Sequence, residues 1–131
     1  MLEVGLKGSF QVKVTDENTA RTMKSGDLDV FATPALVAAL EAASVDAVSK
    51  ELEEGCTTVG INICVDHTAP SVFGMTVTAT AELIEVSGRQ LTFRVSAYDE
   101  KGVIGEGEHK RCIINSERFM TKANGRNQDA H

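Results

Sequence analysis

The run FATPALVAALEAASVDAV, residues 31–48, has the apolar content of a buried helix, yet an acid, Glu41, stands in its middle. At about 100° per residue, Glu41 points between Val48 and Leu52, with Val37 one turn before it and Val45 one turn after. Asp46 and Lys50 project from the opposite side, so Glu41 lies inside the apolar stripe. A buried, unpartnered carboxylate is costly when ionised or titrates upward, and this one therefore needs a compensating group. A glutamate reaching across a helix–sheet seam to a Lys, an Arg or solvent is the commonplace answer. On periodicity alone that answer stands slightly ahead of a catalytic one.

His67 shifts the balance. In TTVGINICVDH it falls in phase with Val59, Ile61, Ile63 and Val65, which aims its ring at the face that packs on the helix. It also ends its strand just before Ala69-Pro70, where a cleft can open. A lone inward histidine is more often a satisfied core residue, but an inward His and an inward Glu on adjacent elements form a candidate acid–base pair. Thr33 is the third member. Thr33-Pro34 has the form of a helix start, with Thr as N-cap and Pro at the first helical position, and that role alone accounts for a threonine. The same position sets a hydroxyl two turns upstream of Glu41, beside free amides at the positive end of the helix dipole. Such a place suits an oxyanion or a thioester carbonyl.

The elements that must position these groups follow from pattern. GLKGSFQVKVT, roughly residues 5–15, alternates as a strand, and residues 16–29 form a polar loop. The helix is expected from about Pro34 to Leu52, ended by Gly55, with an Ala-rich surface suited to close packing on a sheet. The period then switches to two: residues 57–66, a strand from Met75 through Leu83, a turn at Ser87-Gly88-Arg89 into residues 91–97, and a last strand at about 103–115. The tail, about residues 117–131, is polar and expected to fray. One long helix, a strand before it and an antiparallel meander after it predict an α+β fold in which a curved sheet wraps the helix. That is the outline of a hotdog fold, although pattern alone leaves cystatin-like sheets open. One helix covers a five-stranded sheet incompletely, so paired edge strands and a homodimer are expected.

Length and composition set the bounds. The 131 residues, 42% hydrophobic and 24% charged, suit one globular core with no linker dividing it. A net charge of −6 without a Lys/Arg cluster argues against nucleic acid as partner. The opening MLEVGLKGSF lacks the basic and apolar regions of a signal, and Glu41 and Asp46 interrupt the apolar stretch at 30–48; the expectation is a cytoplasmic protein with no membrane span. Cys56, Cys64 and Cys112 are odd in number and widely spaced, which fits neither a disulfide framework nor a zinc motif.

Three stretches, FATPALVAALEAASV, TTVGINICVDHTAPSVFGMTVTATAEL and GEGEHKRCII, together resemble the fluoroacetyl-CoA thioesterase family of hotdog-fold acyl-CoA thioesterases, in order and spacing, up to about Glu117. The resemblance implies a homodimer that hydrolyses a short acyl-CoA thioester with Thr33, Glu41 and His67. It also implies substrate-side roles for Gly60, seven residues before the His, and for Arg111 of the H-x-R motif. Coenzyme A enters as part of the substrate, with no cofactor and no metal. Two positions depart from the family pattern: Pro34 follows Thr33 where the fluoroacetate enzyme has Gly, and Ser25-Gly26-Asp27-Leu28 lacks that enzyme's aromatic lid residue. The alternatives are a hotdog acyl-CoA hydratase or dehydratase, and a non-catalytic acyl-CoA-binding module.

Overall fold

A computed structural model describes residues 1–129 of the chain. In chain order it contains β1 (Lys7–Lys13), α1 (Ala20–Met23), α2 (Thr33–Val48) continued by a 3-10 turn (Ser49–Glu51), β2 (Cys56–His67), β3 (Thr76–Ser87), β4 (Gln90–Asp99), β5 (Gly102–Asn115) and α3 (Ser116–Asp129). The five strands form one sheet in the order β1-β3-β4-β5-β2, with every pairing antiparallel. β1 and β2 are its edges.

The sheet curls around one face of α2, which carries the buried Leu36, Ala39, Leu40, Ala43, Ser44, Ala47 and Val48, while Ala38, Val45 and Asp46 are exposed. Leu36, Leu40, Ala43 and Val48 interlock with Val77, Ala79, Ala81 and Leu83 of β3 and with Leu91, Phe93, Val95 and Ala97 of β4. Leu36 and Leu40 are fully buried, each stabilising the fold by about 1.5–3 kcal/mol. β1 approaches closely enough that a Cβ on Gly8 would fall on backbone atoms of Ala43 and Ala47, which is why small residues line that side of the helix. The β3–β4 hairpin turns at Gly88, whose φ of 62° glycine adopts without strain.

Three expectations change. The polar loop contains a short helix, α1, capped by the Thr19 side chain, which accepts from the Thr22 N–H. The polar tail is a helix, α3, as far as Asp129; residues 130–131 lie outside the described residues. In β2 the register slips between Gly60 and Asn62. Ile61 is the extra residue, so the strand does not keep one phase from Val59 to His67. Thr58 and Gly60 face the helix before the slip, and Ile63 and Val65 pack on the core after it. His67 keeps the phase of Ile63 and Val65, while Ile61 itself is 51% exposed.

Candidate active site

Thr33 and His67 meet. Ala32, not Thr33, is the N-cap of α2, and it makes no side-chain cap bond. Thr33 is the first helical residue, and its hydroxyl lies 2.8 Å from His67 Nδ1 at the end of β2. The first intrahelical bond runs from Leu36 N–H to Ala32 O, and Pro34 has no N–H, which leaves the amides of Thr33 and Ala35 without intrahelical acceptors. These groups border a cleft of about 270 Å³ lined by Ser25, Phe31, Thr33, His67, Ala69 and Pro70, among others. His67 Nε2 is buried and unpartnered among the described residues. Burial lowers the imidazole pKa below its usual 6.5, and the Ala69 backbone opposes the shift, so the ring is neutral at pH 7 and able to accept a proton.

Glu41 does not join them within one chain. It lies eight residues along α2, about 12 Å farther on, and its Oε2 accepts from Arg111 Nη1 at 3.4 Å. The commonplace answer to the lone acid, an arginine across the helix–sheet seam, is thus realised. The Glu41 side chain is 39% exposed, and its Oε1 has no partner among the described residues. Arg111 is buried and clamped by Thr58: Nε donates to Thr58 Oγ1 at 2.8 Å and Nη2 to Thr58 O at 2.9 Å. Burial presses the guanidinium below its ordinary pKa, and Glu41 opposes the shift. Gly60 has a steric purpose here, because a Cβ at that position would stand 2.7 Å from Glu41 Oε2 and 3.3 Å from Arg111 Nη1.

The sequence reading missed His109. It is 1% exposed, with Nδ1 2.8 Å from Asn62 O and Nε2 3.2 Å from Arg111 Nη1 and 4.0 Å from Glu41 Oε2. A signal was present: two residues before Arg111, it occupies the same face of β5.

Comparison with known proteins decides the family. The model of the family described as fluoroacetyl-CoA-specific thioesterase matches residues 14–117. The chain belongs to this family. It is 48% identical over 94 residues to the fluoroacetyl-CoA thioesterase of Streptantibioticus cattleyicolor, covering 72% of this chain and 68% of that one. A crystal structure of a mutant of the fluoroacetyl-CoA-specific thioesterase FlK superposes with a TM-score of 0.90 at 38% identity, covering 96% and 98% of the two chains. A hot-dog-like protein from Thermanaerovibrio acidaminovorans matches at 0.85 and 26% identity, covering 94% and 91%. The sheet wrapped around α2 is accordingly the hotdog fold foreseen from the helix-then-meander pattern.

Proposed function

We propose that hydrolysis takes place in the Thr33–His67 cleft, with Glu41 of a second subunit completing the set. The chain is an acyl-CoA thioesterase, a thioester hydrolase. The observation that carries the site is the 2.8 Å contact between Thr33 Oγ1 and His67 Nδ1 beside two free helix amides. His67, neutral at pH 7, takes a proton from the attacking oxygen, which belongs to Thr33 or to a water bound at its hydroxyl. The Thr33 and Ala35 N–H groups face the oxyanion. The C–S bond then breaks, and the coenzyme A thiolate leaves with the proton held on His67. If Thr33 is the nucleophile, water hydrolyses the acyl-threonine in a second step. Arg111 and Gly60 hold the carboxylate of Glu41 in place.

The protein acts as a homodimer joined along the free edge of β2, the expectation raised by its incompletely covered sheet. A two-fold axis midway between Gly60 and His67 would set Gly60 of one strand opposite His67 of the other, and Glu41 Oε2 lies beside Gly60. The exposed Ile61 on that edge and the 39% exposure of the Glu41 side chain support the arrangement. We read the chain as a single hotdog domain of the cytoplasm; among the described residues, no helix is long and apolar enough to cross a membrane. The acyl group is short. Pro34 removes one amide and the loop at residues 25–28 supplies no aromatic lid, two departures that count against fluoroacetyl specificity.

A panel of acyl-CoA esters assayed for free-thiol release tests the reading. Thiol release from a short acyl-CoA supports it; hydration of an enoyl-CoA without release, or binding without turnover, would replace it with a hydratase or a binding module. Glu41→Gln keeps the shape and removes the charge, so turnover falls by about 10²-fold or more while the fold persists. Near-normal hydrolysis by that variant removes Glu41 from the mechanism.

A further inference from the structure

We infer that His109 is a positioning residue: it fixes the Arg111 guanidinium from below and thereby sets where the Glu41 carboxylate stands. The inference rests on the proposed role of Glu41.

The hydrogen bonds leave His109 one tautomer. A carbonyl only accepts, so Nδ1 must carry the proton donated to Asn62 O at 2.8 Å. Nε2 is then the acceptor, and the Arg111 Nη1 group 3.2 Å away is its donor. Protonating the ring would set two cations in contact inside the sheet. The groups that face the ring are Glu41 from α2, Arg111 on β5, the Asn62 carbonyl on β2 and Phe93 on β4, whose ring centroid lies 6.3 Å away. Burial lowers the imidazole pKa, helped by Arg111 and opposed by Asn62 and Glu41, in keeping with a neutral acceptor.

Arg111 is consequently held on two sides. Thr58 fixes Nε and Nη2, whereas Nη1 divides its hydrogens between His109 Nε2 and Glu41 Oε2. Without the imidazole, the planar guanidinium can tilt about the line through Nε and Nη2, which carries Nη1 and the Glu41 carboxylate with it. His109 also joins two features of β2, because its donor end grips Asn62, directly after the bulge, while its acceptor end grips the arginine.

Three substitutions separate these two ends. His109→Phe keeps the bulk and loses both bonds; His109→Asn keeps a donor near the Nδ1 position; His109→Gln places an amide oxygen near the Nε2 position. Expected are a fall in kcat of about 10- to 100-fold for His109→Phe and His109→Asn with KM changed less than about threefold, and recovery of most of the loss by His109→Gln. Wild-type kcat in His109→Phe, or recovery by His109→Asn and not by His109→Gln, overturns the inference. The latter result would assign the histidine to holding the bulge alone.

Nitrogen NMR of the unaltered protein decides the contact even where every variant unfolds. A neutral Nδ1–H ring and slowly rotating Arg111 Nη groups are expected; an Nε2–H ring or a freely rotating guanidinium refutes the assignment. Should the wild type release no thiol from any acyl-CoA, the function falls, and these spectra still judge the contact by themselves.

Discussion

Gly60→Ala tests whether the position of the Glu41 carboxylate matters. The new Cβ would stand 2.7 Å from Oε2, so the carboxylate must retreat by about 0.7 Å to reach ordinary contact at 3.4 Å. The Arg111 Nη1 contact, already 3.4 Å, lengthens or turns. Because Glu41 is more than one-third exposed, losing that pair costs no more than about 1 kcal/mol. Alanine also reduces the freedom of the unfolded chain, which returns about 0.4–1 kcal/mol. The two effects nearly cancel, and Tm should move by no more than about 3 °C. Turnover responds differently: if 1 Å of misplacement costs about 100-fold, 0.7 Å costs about 25-fold in kcat. The assay is thiol release by wild type, Gly60→Ala, Glu41→Ala and the double variant, each with a thermal melt. In the double variant there is no carboxylate to displace, and Gly60→Ala should add nothing further to the loss. Wild-type kcat in Gly60→Ala, or an equal loss in the Glu41→Ala background, would refute the reasoning.

The acid limb of kcat/KM follows His67: burial lowers its pKa, activity is lost as the ring protonates, and the limb falls below pH 6.5. A limb centred above 6.5 contradicts that assignment. Thr33→Val keeps the helix start and deletes the hydroxyl bonded to His67, so kcat falls by about 100-fold with little change in Tm, while Thr33→Ser retains much of the rate. Equal rates for the two variants would remove the hydroxyl from the chemistry. Ile61→Lys places a charge on the proposed β2 seam; sedimentation should show monomers, with turnover falling in parallel. A variant that stays dimeric, or an active wild-type monomer, refutes the composite site.

The helix and the four later strands were legible because each repeats one local pattern many times. Thr33-Pro34 marked the start of α2, although the threonine proved to be the first helical residue with its hydroxyl turned to His67. The β2 bulge left no trace in sequence, since Val59, Ile61, Ile63 and Val65 alternate apolar and β-branched across it and conceal the slip. The Glu41–Arg111 pair spans 70 residues and depends on the sheet order, which local pattern does not encode. α3 gives little helix signal in sequence because its composition is polar and it offers few apolar anchors; Phe119 and Met120 are exposed. The proposed two-chain site leaves no mark in one chain's periodicity.

The single unpaired residue at Ile61 has a consequence for how this strand can change. Without it, even-numbered Thr58 and Gly60 and odd-numbered His67 could not point the same way, because strict alternation sends them to opposite faces. Deleting one residue there would therefore evict either the imidazole or the arginine's anchor from the interior while leaving every hydrophobic count untouched. Length along β2 is thus as constrained as chemistry, and a homologue that regularised this strand would have to rebuild one end of it.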